Sequence, residues 1–272
     1  MIRRFAVAAV PAVAALALLL PALPASASTT HGWIQNAYTE KVLSGSFPST
    51  ASYFFNRPGS FGTGNGPGNP IVDGYATRPV LRYESEAQFA SDVASGVIPS
   101  STWPAGSYVE LDIEDWAGTP QQEINDPFTS MTDFARLAHS IGDKAILTPA
   151  RDLGNDPNSV CPKQSGWNLD TWYENCQVAK YAAAGDIIAV QDQADTTTPS
   201  AYRALFDAAR SQALAAHAGV KVYTEVSDNY GTAAQAYTAA TGVTFDGVFL
   251  NVANSDVSWE NSLLNKFKSG GY

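Results

Sequence analysis

Three acidic side chains occupy every second position of Tyr108-Val109-Glu110-Leu111-Asp112-Ile113-Glu114. Successive side chains of a strand point to opposite faces, so Val109, Leu111 and Ile113 form one face. Glu110, Asp112 and Glu114 form the other. Carboxylates crowded together disfavour one another's charge, which raises the pKa of at least one and leaves it a proton to give near neutral pH. Such a set can do general acid–base work, one carboxyl donating a proton while another acts as base or nucleophile. Glu114 lies nearest the C-terminal end of its strand and is the expected proton donor, with Asp112 tuning it.

The same parity recurs elsewhere. Ile188 and Val190 oppose Gln191 and Gln193. Val220, Val222, Thr224 and Val226 oppose Tyr223, Glu225 and Ser227, and Val248, Leu250 and Val252 oppose Asn251. Arg82 and Glu84 share a face. Polar side chains therefore converge near the C-terminal ends of at least five strands. Glu225 is the expected second carboxylate. Arg82, Glu84, Gln191, Gln193, Tyr223 and Asn251 are expected to orient a substrate, together with Arg151 and Trp116. A buried ion network is the competing explanation, with Arg82 neutralising Asp112 and Glu110 a satisfied core acid. Unpaired buried charge is costly, however, and five or six charges exceed what packing needs. Trp167, Trp172 and Trp259 also flank the strand ends; an indole there serves equally as ligand platform or as core.

The elements that must hold these residues alternate. Strands are predicted at Ser52–Arg57, Pro79–Glu84, Tyr108–Glu114, Lys144–Ala150, Ile187–Gln193, Val220–Val226 and Gly247–Val252. Helices are predicted at Ser85–Ser95, Pro127–Ile141, Leu169–Ala184, Pro199–Ala218, Thr232–Thr241 and Ser258–Lys268. Strand–helix repetition implies parallel strands with helical crossovers. The expected fold is an α/β, TIM-like (β/α)8 barrel in one domain, with an open doubly wound sheet as the alternative. Seven strands are evident; the eighth lies in Gly32–Ala37 or in a stretch that reads as loop. The Gly-rich stretch Pro58–Gly74 lacks the following helix of a dinucleotide site and the Lys of a phosphate loop, and reads as a surface loop.

Glu110-x-Asp112-x-Glu114 resembles the D-x-D-x-E strand motif of chitinase-type glycoside hydrolases. That resemblance implies a barrel in which Glu114 is the acid and Asp112 helps the substrate's N-acetyl group to attack. Glu110 stands where the family has Asp, and Ser107-Tyr108 stands where it has Asp-Gly. A second resemblance is to retaining barrel glycosidases, with an acid on strand four and a nucleophilic Glu on strand seven, which would be Glu114 and Glu225. Ile113 replaces the Asn usual before the acid. Both resemblances imply carbohydrate as the partner. A non-catalytic carbohydrate-binding barrel is one alternative, and a cation-dependent lyase or hydrolase using the same acids is another.

The ends and the composition set the context. Arg3 and Arg4 precede an uncharged run from Phe5 to Leu23, and Ala25-Ser26-Ala27 is a small-x-small cleavage pattern. Residues 1–27 are expected to be a signal peptide and residues 28–272 a secreted, monomeric barrel domain. Of 16 basic and 26 acidic residues the leader holds two and none, so the mature net charge is −12. That argues against nucleic acid and anionic membrane as partners and suits a neutral or cationic ligand. Cys161 and Cys176 are expected to form a disulfide. No His stands at a strand end and Gly-x-Ser-x-Gly is absent, which removes Ser-hydrolase and His-metal chemistry. No cofactor or metal is expected, although Asp112, Glu114 and Asp115 could serve a carboxylate cation site.

Overall fold

The computed structural model describes residues 31–36, 52–55, 79–98, 103, 106–252 and 256–272. The strands are β1 (Gly32–Asn36), β2 (Ser52–Phe55), β3 (Pro79–Tyr83), β4 (Tyr108–Ile113), β5 (Lys144–Pro149), β6 (Ile187–Val190), β7 (Lys221–Ser227) and β8 (Gly247–Asn251). All pair in parallel with their chain neighbours. Strand β1 also pairs with β8, placing Trp33 beside Val248 and Ile34 beside Phe249, and this closes the hydrogen-bonded ring. The eighth strand is thus the Gly32 segment.

Helices cover the outside of the ring: α1 (Glu86–Ala94), α2 (Gln121–Asn125), α3 (Pro127–Ser140), α4 (Leu169–Asn175), α5 (Val178–Ala182), α6 (Pro199–Ala216), α7 (Ala233–Ala240) and α8 (Val257–Ser269). Helix follows each of β3 to β8. The connections after β1 and β2 fall outside the described residues, as do the leader, the Gly-rich stretch and the last residues of the predicted strand Ser52–Arg57. The architecture established is an α/β, TIM-like parallel barrel.

Local chemistry explains the boundaries. Ser85, Asp126, Asn168, Thr232 and Asp256 each accept a backbone N–H of the first turn and start a helix. Thr232 and Gln235 cap reciprocally. Pro127 and Pro199 occupy first-turn positions, where a missing N–H costs nothing. The single helix predicted over Leu169–Ala184 is two, because Gln177 adopts a left-handed conformation (φ 54°) between α4 and α5. The strand predicted to run to Gln193 stops at Val190, and Gln193 begins a 3₁₀ turn, Gln193–Asp195.

Strand parity divides the core. Leu81, Val109, Leu111, Leu147, Ile188, Val222, Val248 and Leu250 face the helices. Inside the ring, Ile34, Val80, Ile146, Ile187, Ala189, Tyr223 and Phe249 form a separate apolar layer toward the N-terminal ends of the strands. Burying each large aliphatic chain there contributes about 1.5–3 kcal/mol. Gly32 and Gly247 make room for the Tyr223 ring, since a Cβ at either would collide with it. Above this layer the interior turns polar.

Candidate functional site

The polar layer is built from the next inward positions of the same strands. Register places Arg82 beside Glu110 and Asp112 beside Thr148. The Arg82 guanidinium is ion-paired with Asp112 Oδ2, and it lies 5.5 Å from the centre of the Trp116 ring. Gln191 Nε2 donates to Asp112 Oδ1 at 3.1 Å and to Glu114 Oε1 at 3.2 Å. One amide thus bridges the two carboxyls on which the sequence argument rests.

The members of the acidic triplet differ in their surroundings. Glu110 is fully buried, accepts from Thr148 Oγ1 at 3.3 Å, and has its Oε2 without a hydrogen-bond partner. Burial pushes its pKa up to about 7, against the opposing pull of Arg82 and of the Thr148 hydrogen bond. Asp112 is nearly closed off by its two partners. Glu114 stays half-buried at the rim. Burial raises its pKa most; the Gln191 hydrogen bond and Arg82 pull it down, while the charges of Asp152 and Glu84 push it up. Glu114 is therefore the member that is both open to a ligand and raised in pKa.

Glu225 departs from expectation. It is almost wholly enclosed, and Asn251 Nδ2 donates to its Oε1 at 2.8 Å. Its backbone N–H donates to Asp192 Oδ1 at 3.0 Å, and Thr224 Oγ1 donates to Asp192 Oδ2 at 3.0 Å. The Tyr202 hydroxyl donates to the Glu225 carbonyl at 2.9 Å, linking α6 to this network. Burial raises the pKa of both Asp192 and Glu225 well above the carboxylate range; the charge of Asp192 pushes Glu225 further up, while the Glu225 N–H pulls Asp192 down.

Other expected contacts also move. Arg151 Nη1 binds Asp195 Oδ2 at 2.6 Å and is ion-paired with Asp170, so it ties together the segments after β5 and β6 instead of facing a substrate. Tyr223 fills the lower apolar layer, because it lies two residues before Glu225 on the same inward face. Gln193 is buried in its 3₁₀ turn. Glu84 packs its carboxylate against Gly118. Trp172 and Trp259 are core residues whose indole N–H groups donate to the Cys161 and Gly231 carbonyls. Trp167 packs partly buried against the core, leaving Trp116 as the indole at the site. The expected disulfide joins Cys161 to Cys176 across a Cα–Cα distance of 6.0 Å.

Asp152, Asp192 and Thr148 were not singled out by the sequence argument. Asp192 had a signal: it falls on the helix-facing parity between Gln191 and Gln193, where a charge needs a dedicated set of donors. Asp152 accepts the Asp115 N–H at 3.1 Å and sits in a turn, where parity says nothing.

The donor set does not fit a divalent cation. Both Asp112 oxygens are engaged, one of them by a cation, and Glu110 and Glu225 are enclosed. Among the described residues no group of three or more His, Cys, Asp or Glu is arranged to hold a metal ion. No helix of the described residues is long and apolar enough to cross a membrane.

No family model matches the sequence, and no curated protein matches it. Solved structures superpose on the chain in part. Pyruvate carboxylase from Rhizobium etli, crystallized without acetyl coenzyme-A, superposes with a TM-score of 0.48 at 15% identity over 82% of this chain and 24% of that one. The carboxyl transferase domain of the same enzyme with 3-bromopyruvate gives 0.48 at 14% identity, over 90% and 47%. A 2,3-dimethylmalate lyase of the PEP mutase/isocitrate lyase superfamily gives 0.44 at 13% identity, over 89% and 83%. This chain spans between a quarter and a half of the length of those carboxylase chains. At this level the likeness transfers no residue role.

The expected resemblance to glycoside hydrolases is corrected: no comparison supports it, the solved structures named being a carboxylase, its carboxyl transferase domain and a lyase. The expected second carboxylate, Glu225, is almost wholly buried beneath its hydrogen bond from Asn251.

Proposed function

We propose that the C-terminal end of the barrel is a proton-transfer site of the lyase kind, with Glu114 as the group that carries the proton. The observation that supports this most is the Gln191 bridge, which fixes Asp112 and Glu114 together while leaving Glu114 at the rim. In the proposed elimination, the Glu114 carboxylate takes a proton from the carbon beside a carbonyl. The electron pair forms a C=C bond, the bond from the next carbon to a leaving oxygen breaks, and Glu114 returns the proton to that oxygen. A raised pKa serves both halves of this exchange. Arg82, held by Asp112 and stacked near Trp116, supplies the nearest positive charge for the developing enolate.

Arg82 is paired with Asp112, and the charges of Asp152 and Glu84 act on Glu114, so carboxylates outnumber the one guanidinium and the site favours a neutral or cationic substrate over an anion. A neutral β-hydroxy carbonyl compound, including one derived from a sugar, meets these demands. No step needs a metal ion. Export after cleavage behind Ala27, with residues 28–272 as one secreted domain, belongs to the same reading; a disulfide persists in oxidising compartments and supports it.

The experiment is a panel of neutral β-hydroxy ketones, esters and amides, read by the absorbance of the conjugated product. Glu114→Gln keeps the Gln191 contact and removes proton transfer, so turnover should fall by about 10²–10⁴-fold. Binding of the panel without any product formation by the folded wild type would reject the enzyme reading in favour of a binding barrel.

A further inference from the structure

The opposite end of the barrel carries a cavity that the proposed chemistry does not use. It encloses about 460 Å³ and lies at the N-terminal ends of β1 and β4 to β8. Its floor is apolar and aromatic, formed by Tyr108, Ile187 and Tyr223. A second hollow of about 590 Å³ adjoins it through His31, Lys221 and Asp246.

The charges around the cavity are not equivalent. Asp186 Oδ2 accepts from His139 Nε2 at 2.9 Å and from the Ala145 N–H at 2.9 Å. Asp246 Oδ2 accepts from Arg210 Nη1 at 2.7 Å and from the Val222 N–H at 3.0 Å. Both carboxylates are thus engaged with groups of the protein itself. Lys144 and Lys221 make no ion pair among the described residues, and the Lys144 ammonium lies 5.4 Å from the centre of the Tyr108 ring. Burial lowers the pKa of His31, against the opposing charge of Asp246. Arg210 offsets Asp246, whereas Asp186 is held by a histidine and a backbone N–H; with Lys144 and Lys221 the charges at this end leave one net positive charge, in a chain whose net charge is −10.

We propose that this cavity is a binding site for a small planar carboxylate, its ring or conjugated plane against Tyr108 and Tyr223 and its carboxylate between Lys144 and Lys221. The volume lies within the range of ordinary small-molecule sites, about 300–1,000 Å³. The two tyrosines and Ile187 give an apolar wall that a compact inorganic anion would leave uncovered. The acidic surface repels anions at long range, so affinity here rests on the two local charge-assisted contacts.

The test is a titration of the full chain with benzoate, followed by NMR shifts of the Tyr108 and Tyr223 rings, with inorganic phosphate as comparator. Saturable benzoate binding is expected, with phosphate weaker by about tenfold or more. Lys144→Gln with Lys221→Gln should weaken benzoate by about tenfold or more while leaving the melting temperature within about 2 °C, since neither lysine supports a buried partner. Glu114→Gln should bind benzoate as the wild type does, which separates this site from the acidic end. Absence of saturation, equal binding of phosphate, or unchanged affinity in the double lysine variant would overturn the proposal.

Discussion

Replacing Glu110 by Gln should stabilise the barrel at alkaline pH and leave it little changed in acid. The carboxyl is enclosed, its Oε2 has no hydrogen-bond partner, and its pKa rises from an ordinary 4.5 to about 7. The folded state binds this proton more tightly than the unfolded chain does. Its favourable contribution is complete below the unfolded value and is lost as pH rises through the folded one. Each pKa unit corresponds to about 1.4 kcal/mol, so ionisation costs the native state about 3 kcal/mol by pH 8 and under 1 kcal/mol at pH 5. Gln keeps the shape and an acceptor for Thr148 without the charge. Urea unfolding of both proteins at the two pH values should show the variant gaining about 2–3 kcal/mol more at pH 8 than at pH 5. An equal difference at both values, or a loss at pH 8, would refute the claim that Glu110 is a strained buried acid.

Further outcomes follow from other parts of the structure. Gln191→Ala removes the hydrogen bond that lowers the Glu114 pKa, so the acidic limb of turnover, where Glu114 loses its proton to become the base, should move to higher pH, as a pH–rate profile would reveal. Tyr202→Phe deletes the hydroxyl that meets the Glu225 carbonyl and Thr224, and should cost about 1–3 kcal/mol in denaturant unfolding. Gly247→Ala drives a methyl group against both the Tyr223 ring and the Gly32 carbonyl oxygen and should cost about 1–3 kcal/mol in denaturant unfolding. Replacing Cys161 and Cys176 by Ser should lower stability by about 3 kcal/mol through the freed loop, measurable by thermal unfolding.

Much of the barrel could be read from strand parity, because period-two alternation survives wherever one face meets helices and the other a polar interior. The acidic strand, Arg82, Gln191 and Asn251 lie where that pattern puts them. Parity could not show height along the axis: Tyr223 and Glu225 share an inward face, yet one fills the apolar layer and the other the polar one. Nor could it show who pairs with whom. Arg151 looked free at a strand end but is claimed by Asp170 and Asp195, which come from later segments. Asp192 escaped notice because its donors, Thr224 and the Glu225 N–H, lie more than 30 residues away. The glycosidase expectation failed for a related reason: a motif on one strand fixes carboxyl spacing along that strand, whereas the chemistry depends on which carboxyl across the barrel remains open.

The most direct measurement is a pH titration of the Glu114 side-chain carboxyl by carbon NMR in the wild type and in Gln191→Ala. A midpoint above the ordinary 4.5 in the wild type, moving higher in the variant, is the predicted result. A midpoint at or below 4.5, unmoved by loss of Gln191, would contradict the assignment of Glu114 as the proton carrier.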